Sequence, residues 1–149
     1  MNMELDFIKE MFDSIAPKYD FLNRLLSLGQ DAHWRREMVK AAMLKDKFKV
    51  LDVAAGTCDV ALEVKRQCGK NPFIVATDFS AKMLYLGKEK FESVHAVAGN
   101  ALSLPFKSGK FDAVFIAFGI RNIMDRSGAL ENFYRILKPE GSLVILELT

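Results

Sequence analysis

The chain has 149 residues, half of them hydrophobic and 27% charged, with a formal net charge of +2. Length and composition describe one folded domain and exclude a chain that is mainly disordered. The near balance of charge excludes nucleic-acid binding driven by bulk charge. The longest strongly apolar run, Ala113 to Ile120, is 8 residues, against the ~20 that a membrane helix needs.

Residues 1–45 read as helical. Phe7, Ile8, Met11, Phe12 and Ile15 recur at helical spacing, Pro17 interrupts, and Phe21, Leu22, Leu25 and Leu26 begin a second stripe. Gly29 and Asp31 mark a break, and Trp34 to Leu44 predicts a third helical piece. Charge here is uneven, −3 over residues 1–33 and +4 over residues 34–49. An anionic partner or a lipid surface is one reading of the basic stretch, which includes Arg35, Arg36 and Lys40; a solvated helix face is the expected one.

From Phe48 the period changes. Phe48 to Val53 predicts a strand, and Thr57 to Cys68 a helix. Phe73 to Thr77 predicts a second strand, and Ser80 caps a helix running to about Phe91. Val94 to Ala98 is a third strand. Phe111 to Phe118 is a fourth, nearly all apolar, as a strand covered on both faces should be. Asp125 caps a helix carrying Leu130, Phe133, Tyr134 and Leu137, Lys138 to Gly141 stop it, and Ser142 to Leu148 is the fifth strand. Strand and helix alternate, which predicts an α/β fold, a doubly wound parallel sheet with N-terminal helices.

Ligands of such sheets sit at the carboxyl ends of the strands, where the strand order reverses. The informative positions are therefore 54–59, 78–80, 99–101 and 118–122. After the first strand, Ala54-Ala55-Gly56-Thr57-Cys58-Asp59 offers a glycine for close backbone approach and free N–H groups at a helix start. Asp78, 22 residues after Gly56, stands where an acid binds both hydroxyls of a ribose. Phe79 follows it, and Met83 lies one turn on, either against an adenosine or in the core. Glycine loop and acid together point to a nucleoside-containing cofactor.

A dinucleotide is disfavoured. Ala54 replaces the first glycine of the dinucleotide pattern and Asp59 the last, and a carboxylate at position 59 repels a pyrophosphate. Asp59 suits an ammonium or sulfonium instead, as in S-adenosylmethionine; its ordinary alternative is a first-turn helix acid. Asp52 ends a buried strand and needs a partner. Asn100 and Ala101 are placed for an adenine edge, or for an ordinary turn. Phe118, Arg121 and Asn122 follow the fourth strand, where Arg121 stands near the transferred group if it is not simply a surface cation.

Val50 to Asp59 resembles motif I of class I S-adenosylmethionine methyltransferases. Phe12 to Asp20 with Asn23, Ser27, Gly29 and Trp34, then Asn100 to Phe106, Phe118 to Asn122 and Leu137 to Gly141, resemble the ubiquinone/menaquinone-biosynthesis C-methyltransferases. The resemblance implies a Rossmann-like fold of strand order 3-2-1-4-5, with residues 1–45 as a helical lid on the acceptor side and 46–149 binding the donor. It implies methyl transfer from S-adenosylmethionine to a ring carbon of a polyprenylated benzoquinol or demethylmenaquinol. Asp52, Gly56, Thr57, Asp78, Asn100 and Ala101 then bind the donor, and Tyr19, Asn23, Arg121 and Asn122 line the acceptor side.

On that reading the quinol loses a phenolic proton and its ring carbon attacks the methyl in line, with Arg121 and Asn122 stabilising the oxyanion. Tyr19, Asp20 and His33 are the candidate bases, and His95, inside a strand, is structural. Ala55 and Cys58 stand where the family usually has glycine. Family members continue past the fifth strand, so Leu143 to Leu146 is expected to be an apolar edge that pairs with a second copy. A tailed quinol implies a peripheral membrane contact. Met1 to Asp6 carry no secretory pattern, and two cysteines make no disulfide framework and no zinc pattern, so a cytoplasmic setting is expected. The competing readings are a methyltransferase for another small acceptor, a donor-binding fragment without turnover, and a nicotinamide-dependent oxidoreductase.

Overall fold

A computed structural model describes residues 3–44, 48–68, 71–90 and 92–148. Three N-terminal helices, α1 (Met3–Ile15), α2 (Tyr19–Leu26) and α3 (Gln30–Ala41), precede β1 (Lys49–Val53). Then follow α4 (Asp59–Cys68), β2 (Phe73–Asp78), α5 (Ala81–Lys90), β3 (Val94–Ala98), β4 (Phe111–Ala117), α6 (Arg126–Ile136) and β5 (Leu137–Leu146). The sheet is parallel throughout, in the order β3-β2-β1-β4-β5. This is the doubly wound order expected from the sequence, and it reverses between β1 and β4.

Both faces of the sheet are covered, which is why β4 reads as a nearly continuous apolar run. Val50, Ile74, Ala113 and Phe115 pack under Met38 and Val39 of α3, Val60 and Val64 of α4 and Leu84 of α5. Leu51, Val53, Val114 and Ile116 pack on the other face under Ala129, Phe133 and Ile136 of α6. Caps set the helix starts: Ser80 Oγ accepts from Met83 N at 3.2 Å, and Asp125 Oδ1 from Gly128 N at 2.9 Å.

Three elements differ from expectation by more than one residue at an end. The helix after β1 begins at Asp59, not Thr57, because Gly56 and Cys58 take positive φ and turn the chain first. The third helix starts at Gln30 and ends at Ala41, since the break before it is confined to Ser27–Gly29 and Met43 leaves helical φ. β5 begins at Leu137, opposite Phe111, then bulges so that Ser142 meets Ala113, with Glu140 at φ +64°; it ends at Leu146. Lys138–Gly141 are thus a bulge within the strand as well as the stop of α6. The expected end of α5 at Phe91, and the boundary between residues 45 and 46, fall on or beside residues outside the description.

The basic stretch is only partly a solvated face. Arg36 and Lys40 are exposed, but Arg35 is 7% exposed, its Nη1 2.5 Å from Asp31 Oδ2 and 3.6 Å from Asp59 Oδ2. A guanidinium four residues after a carboxylate turns inward on the helix side facing α4. Among the described residues no helix is long and apolar enough to cross a membrane.

Candidate active site

Where the strand order reverses, the strand ends open into a cavity of about 250 Å³. Val53, Ala54 and Gly56 at the end of β1, Thr77, Asp78 and Phe79 at β2, Gly99 to Leu102 after β3, and Phe118, Gly119 and Asn122 after β4 form its floor. Tyr19 of α2, Met83 of α5, and Leu5, Ile8 and Phe12 of α1 roof it. Ala54, Cys58 and Phe118, none of them glycine, have φ of +52°, +66° and +55°. Such backbone costs about 1–3 kcal/mol per residue and gathers at functional sites.

Asp78 is the polar centre of this floor. It is 7% exposed, its Oδ2 accepts from Gly56 N at 2.8 Å, and its Oδ1 from Ser80 N at 2.9 Å. Burial raises its pKa above the ordinary carboxylate range, opposed by the N–H groups of Ser80, Gly56 and Phe79. Gly56 is favoured here by its φ of +54°, and it lies directly under Met83 and Tyr19. Asn100 Oδ1 accepts from Leu102 N at 2.9 Å, which leaves its amide nitrogen free to point at a ligand.

The remaining motif I residues lie behind the cavity, not in it. Asp52, Thr57 and Asp59, with Tyr19, Arg35 and Ala54, surround a polar space of about 20 Å³. Asp52 Oδ2 and Arg35 Nε are buried there without a hydrogen-bond partner among the described residues. Burial pushes the Asp52 carboxyl up to about 8, opposed by the Ala61 N–H and Arg35. Burial likewise keeps Cys58 a protonated thiol.

A raised carboxyl pKa has a testable sign. Folding favours protonated Asp52, so the stability this group gives is complete below its ordinary 3.8 and is lost as pH rises through about 8. Thermal melts should therefore show a midpoint that declines from pH 5 to pH 8, and Asp52→Asn should remove most of that decline. An identical decline in the variant would assign it to other groups.

Of the expected acceptor-side residues, Tyr19 and Asn122 line the cavity. Burial raises the Tyr19 pKa, opposed by the neighbouring Asn23 and by the Arg35 charge, so its hydroxyl keeps its proton. Asp20 does not reach the cavity: Oδ1 accepts from Thr57 Oγ1, and Oδ2 pairs with Lys90 Nζ. Arg121, half exposed, lies outside the lining, its Nη1 3.3 Å from Glu147 Oε1. His33 is exposed on α3 and lines neither space. His95 is exposed on the edge strand β3 and stacks on Phe73 at 4.6 Å. The apolar roof from α1 was missed in the sequence, although its stripe was visible, as were Arg35 and Lys90.

A family model, the ubiE/COQ5 methyltransferase family, matches residues 1–149. The chain belongs to this family. It is 49% identical over 148 residues to the ubiquinone/menaquinone biosynthesis C-methyltransferase UbiE of Geotalea uraniireducens, covering 95% of this chain and 63% of that protein. It is 47% identical over 141 residues to the demethylmenaquinone methyltransferase of Thermus thermophilus, covering 92% and 64%. The chain thus spans under two thirds of these ubiE/COQ5 relatives. Among solved structures, a chain of the complex between the Haloferax volcanii Trm112 methyltransferase activator and a methyltransferase matches with a TM-score of 0.78 at 20% identity, covering 90% of this chain and 58% of that one. A SAM-dependent methyltransferase from Aquifex aeolicus matches with 0.69 at 23% identity, covering 76% and 63%. These two show the shared Rossmann-like fold of this family member.

Proposed function

We propose that this chain is the donor-binding part of an S-adenosylmethionine-dependent C-methyltransferase of quinone biosynthesis, acting on a polyprenylated benzoquinol or demethylmenaquinol. The observation that carries the reading is Asp78, a buried carboxylate at the end of β2 beside a glycine loop, in a cavity lined mostly by apolar side chains, with Asp6, Lys9, Asn100 and Asn122 among the rest. That arrangement fits a nucleoside: two ribose hydroxyls donate to the carboxylate, and the adenine lies between Phe79 and Met83 with its edge toward Asn100 and Ala101. The amino-acid end then lies over β1 and β4, beside Ala54, Thr57 and Asp59. Behind it, Arg35 Nε and Asp52 Oδ2, without a hydrogen-bond partner among the described residues, face a space of about 20 Å³, room for one bridging water. When bound, S-adenosylmethionine supplies an electrophilic methyl group.

This chain's residues then orient the acceptor. Tyr19 and Asn122 donate hydrogen bonds to the quinol oxygen, and Phe118 closes the wall beside it. Arg121 reaches the same oxygen from the cavity mouth. Its half-exposed contact with Glu147 is worth about 1 kcal/mol or less and is readily exchanged. Donors aimed at an oxyanion lower the barrier by ~3–4 kcal/mol each. Asp20 acts at one remove, holding the turn that carries Tyr19. Residues 1–45 serve as the lid, and the α1 roof (Leu5, Ile8, Phe12) takes the apolar ring and the start of its tail. A tailed acceptor places the protein in the cytoplasm, at the membrane surface through the exposed Met3, Phe7 and Met11. The free edge of β5 pairs with a second copy.

Calorimetry with S-adenosylmethionine, S-adenosylhomocysteine and NAD side by side tests the reading. Both adenosyl compounds should bind and NAD should not. Binding of NAD alone would replace this reading by the dinucleotide one.

A further inference from the structure

The structure places one ammonium between the lid and the donor loop. Lys90 is the last described residue of α5, and its side chain is 29% exposed. Its Nζ pairs with Asp20 Oδ2 of α2 and lies 3.2 Å from Asp59 Oδ1 at the start of α4. Asp20 Oδ1 in turn accepts from Thr57 Oγ1. The neighbour of Asp20 is Tyr19, whose ring covers Gly56. One side chain therefore joins three segments that are 31 residues or more apart in sequence.

Lys90 reaches this point because α5 lies very close to the loop. A Cβ on Gly87, one turn earlier, would be 2.7 Å from the Thr57 carbonyl carbon and 2.6 Å from Cys58 Sγ. Without Lys90, Asp59 keeps Arg35 3.6 Å from its Oδ2, but the Asp20 and Asp59 carboxylates lose the cation they share. Repulsion then opens the turn that holds Tyr19 over Gly56.

We propose that Lys90 is a positioning residue: its ammonium, shared by Asp20 and Asp59, latches the Tyr19–Asp20 turn over the Gly56–Thr57 loop and sets how long the donor is retained. This rests on the donor-binding reading above. It concerns retention, not the methyl-transfer step, because Lys90 lines neither the cavity nor the polar space behind it.

The test uses S-adenosylhomocysteine as probe, with the parent chain, Lys90→Met, Lys90→Arg, Asp20→Asn and the Asp20→Asn/Lys90→Met double variant. Lys90→Met should raise the dissociation constant about 10-fold, carried mostly by a faster off-rate. Lys90→Arg should restore binding to within about threefold of the parent, since it keeps the charge. The double variant should bind no worse than the weaker single, because both remove the same latch. Parent-like binding by Lys90→Met, failure of Lys90→Arg to rescue, or multiplying effects in the double variant would each overturn the latch. Asp20→Asn is the independent check if Lys90→Met folds poorly, and parent-like binding by it has the same force. A parent chain that does not bind the probe overturns the donor-binding reading itself.

Discussion

Asp78→Ala should weaken S-adenosylmethionine binding by about 100-fold or more, measured by calorimetry. Two ribose hydroxyls donating to one carboxylate make two charge-assisted bonds, each worth about 1.5–3 kcal/mol. Every 1.4 kcal/mol is about tenfold in affinity. The variant also leaves the Gly56 and Ser80 N–H groups without their acceptor, which loosens the loop that the donor lies on. Asp78→Asn separates the two effects: it keeps the shape, loses the charge, and must aim its NH₂ at one of those N–H groups, so its loss should fall below that of alanine. The pH dependence follows from the raised pKa. The ionised form is the acceptor, so affinity should fall on acidification, and should begin to fall at a higher pH than an ordinary aspartate would give.

Gly87→Ala should destabilise the protein, against the helix-propensity expectation. In an exposed helix interior alanine is better than glycine by about 1 kcal/mol. Here the added methyl meets backbone, with Thr57 carbonyl carbon and oxygen at 2.7 and 2.8 Å and Cys58 Sγ at 2.6 Å. Backbone yields little, so α5 must move outward, and overpacking of this kind costs about 1–3 kcal/mol. The thermal midpoint should fall by about 2–12 °C, taking about 2–4 °C per kcal/mol for a chain near this size. Outward movement also carries Lys90 away from Asp20, so donor affinity should fall with stability. A midpoint equal to or above the parent's would show that α5 does not lie that close to the loop.

The topology was legible because its signals are backbone signals. Alternating strands and helices imply right-handed crossovers, and an unbroken apolar run such as Ala113 to Ala117 implies a strand covered on both faces. Gly56 and Asp78 were legible for the same reason, since their spacing reflects one strand–helix–strand unit. Side-chain direction was not. Arg121 follows the right strand, but the short turn after β4 aims it at Glu147, and sequence spacing carries no information on that turn. Arg35 stood in a basic stretch, and only the Asp31–Arg35 spacing hinted that it pairs and turns inward. Lys90 reads as an ordinary last-turn lysine; its contacts with Asp20 and Asp59 depend on Gly87 and on the path of α2. The bulge in β5 was hidden because Lys138 to Gly141 satisfies the pattern of a helix stop equally well.

A crystal structure of the chain with S-adenosylhomocysteine decides whether the Asp78 crevice binds the sugar of an adenosyl donor. Both ribose hydroxyls should meet the Asp78 carboxylate, with the adenine beside Asn100 and Ala101 and the amino-acid end over Ala54. A ligand seated elsewhere, or turned so that its sugar does not meet Asp78, would contradict the donor-binding reading.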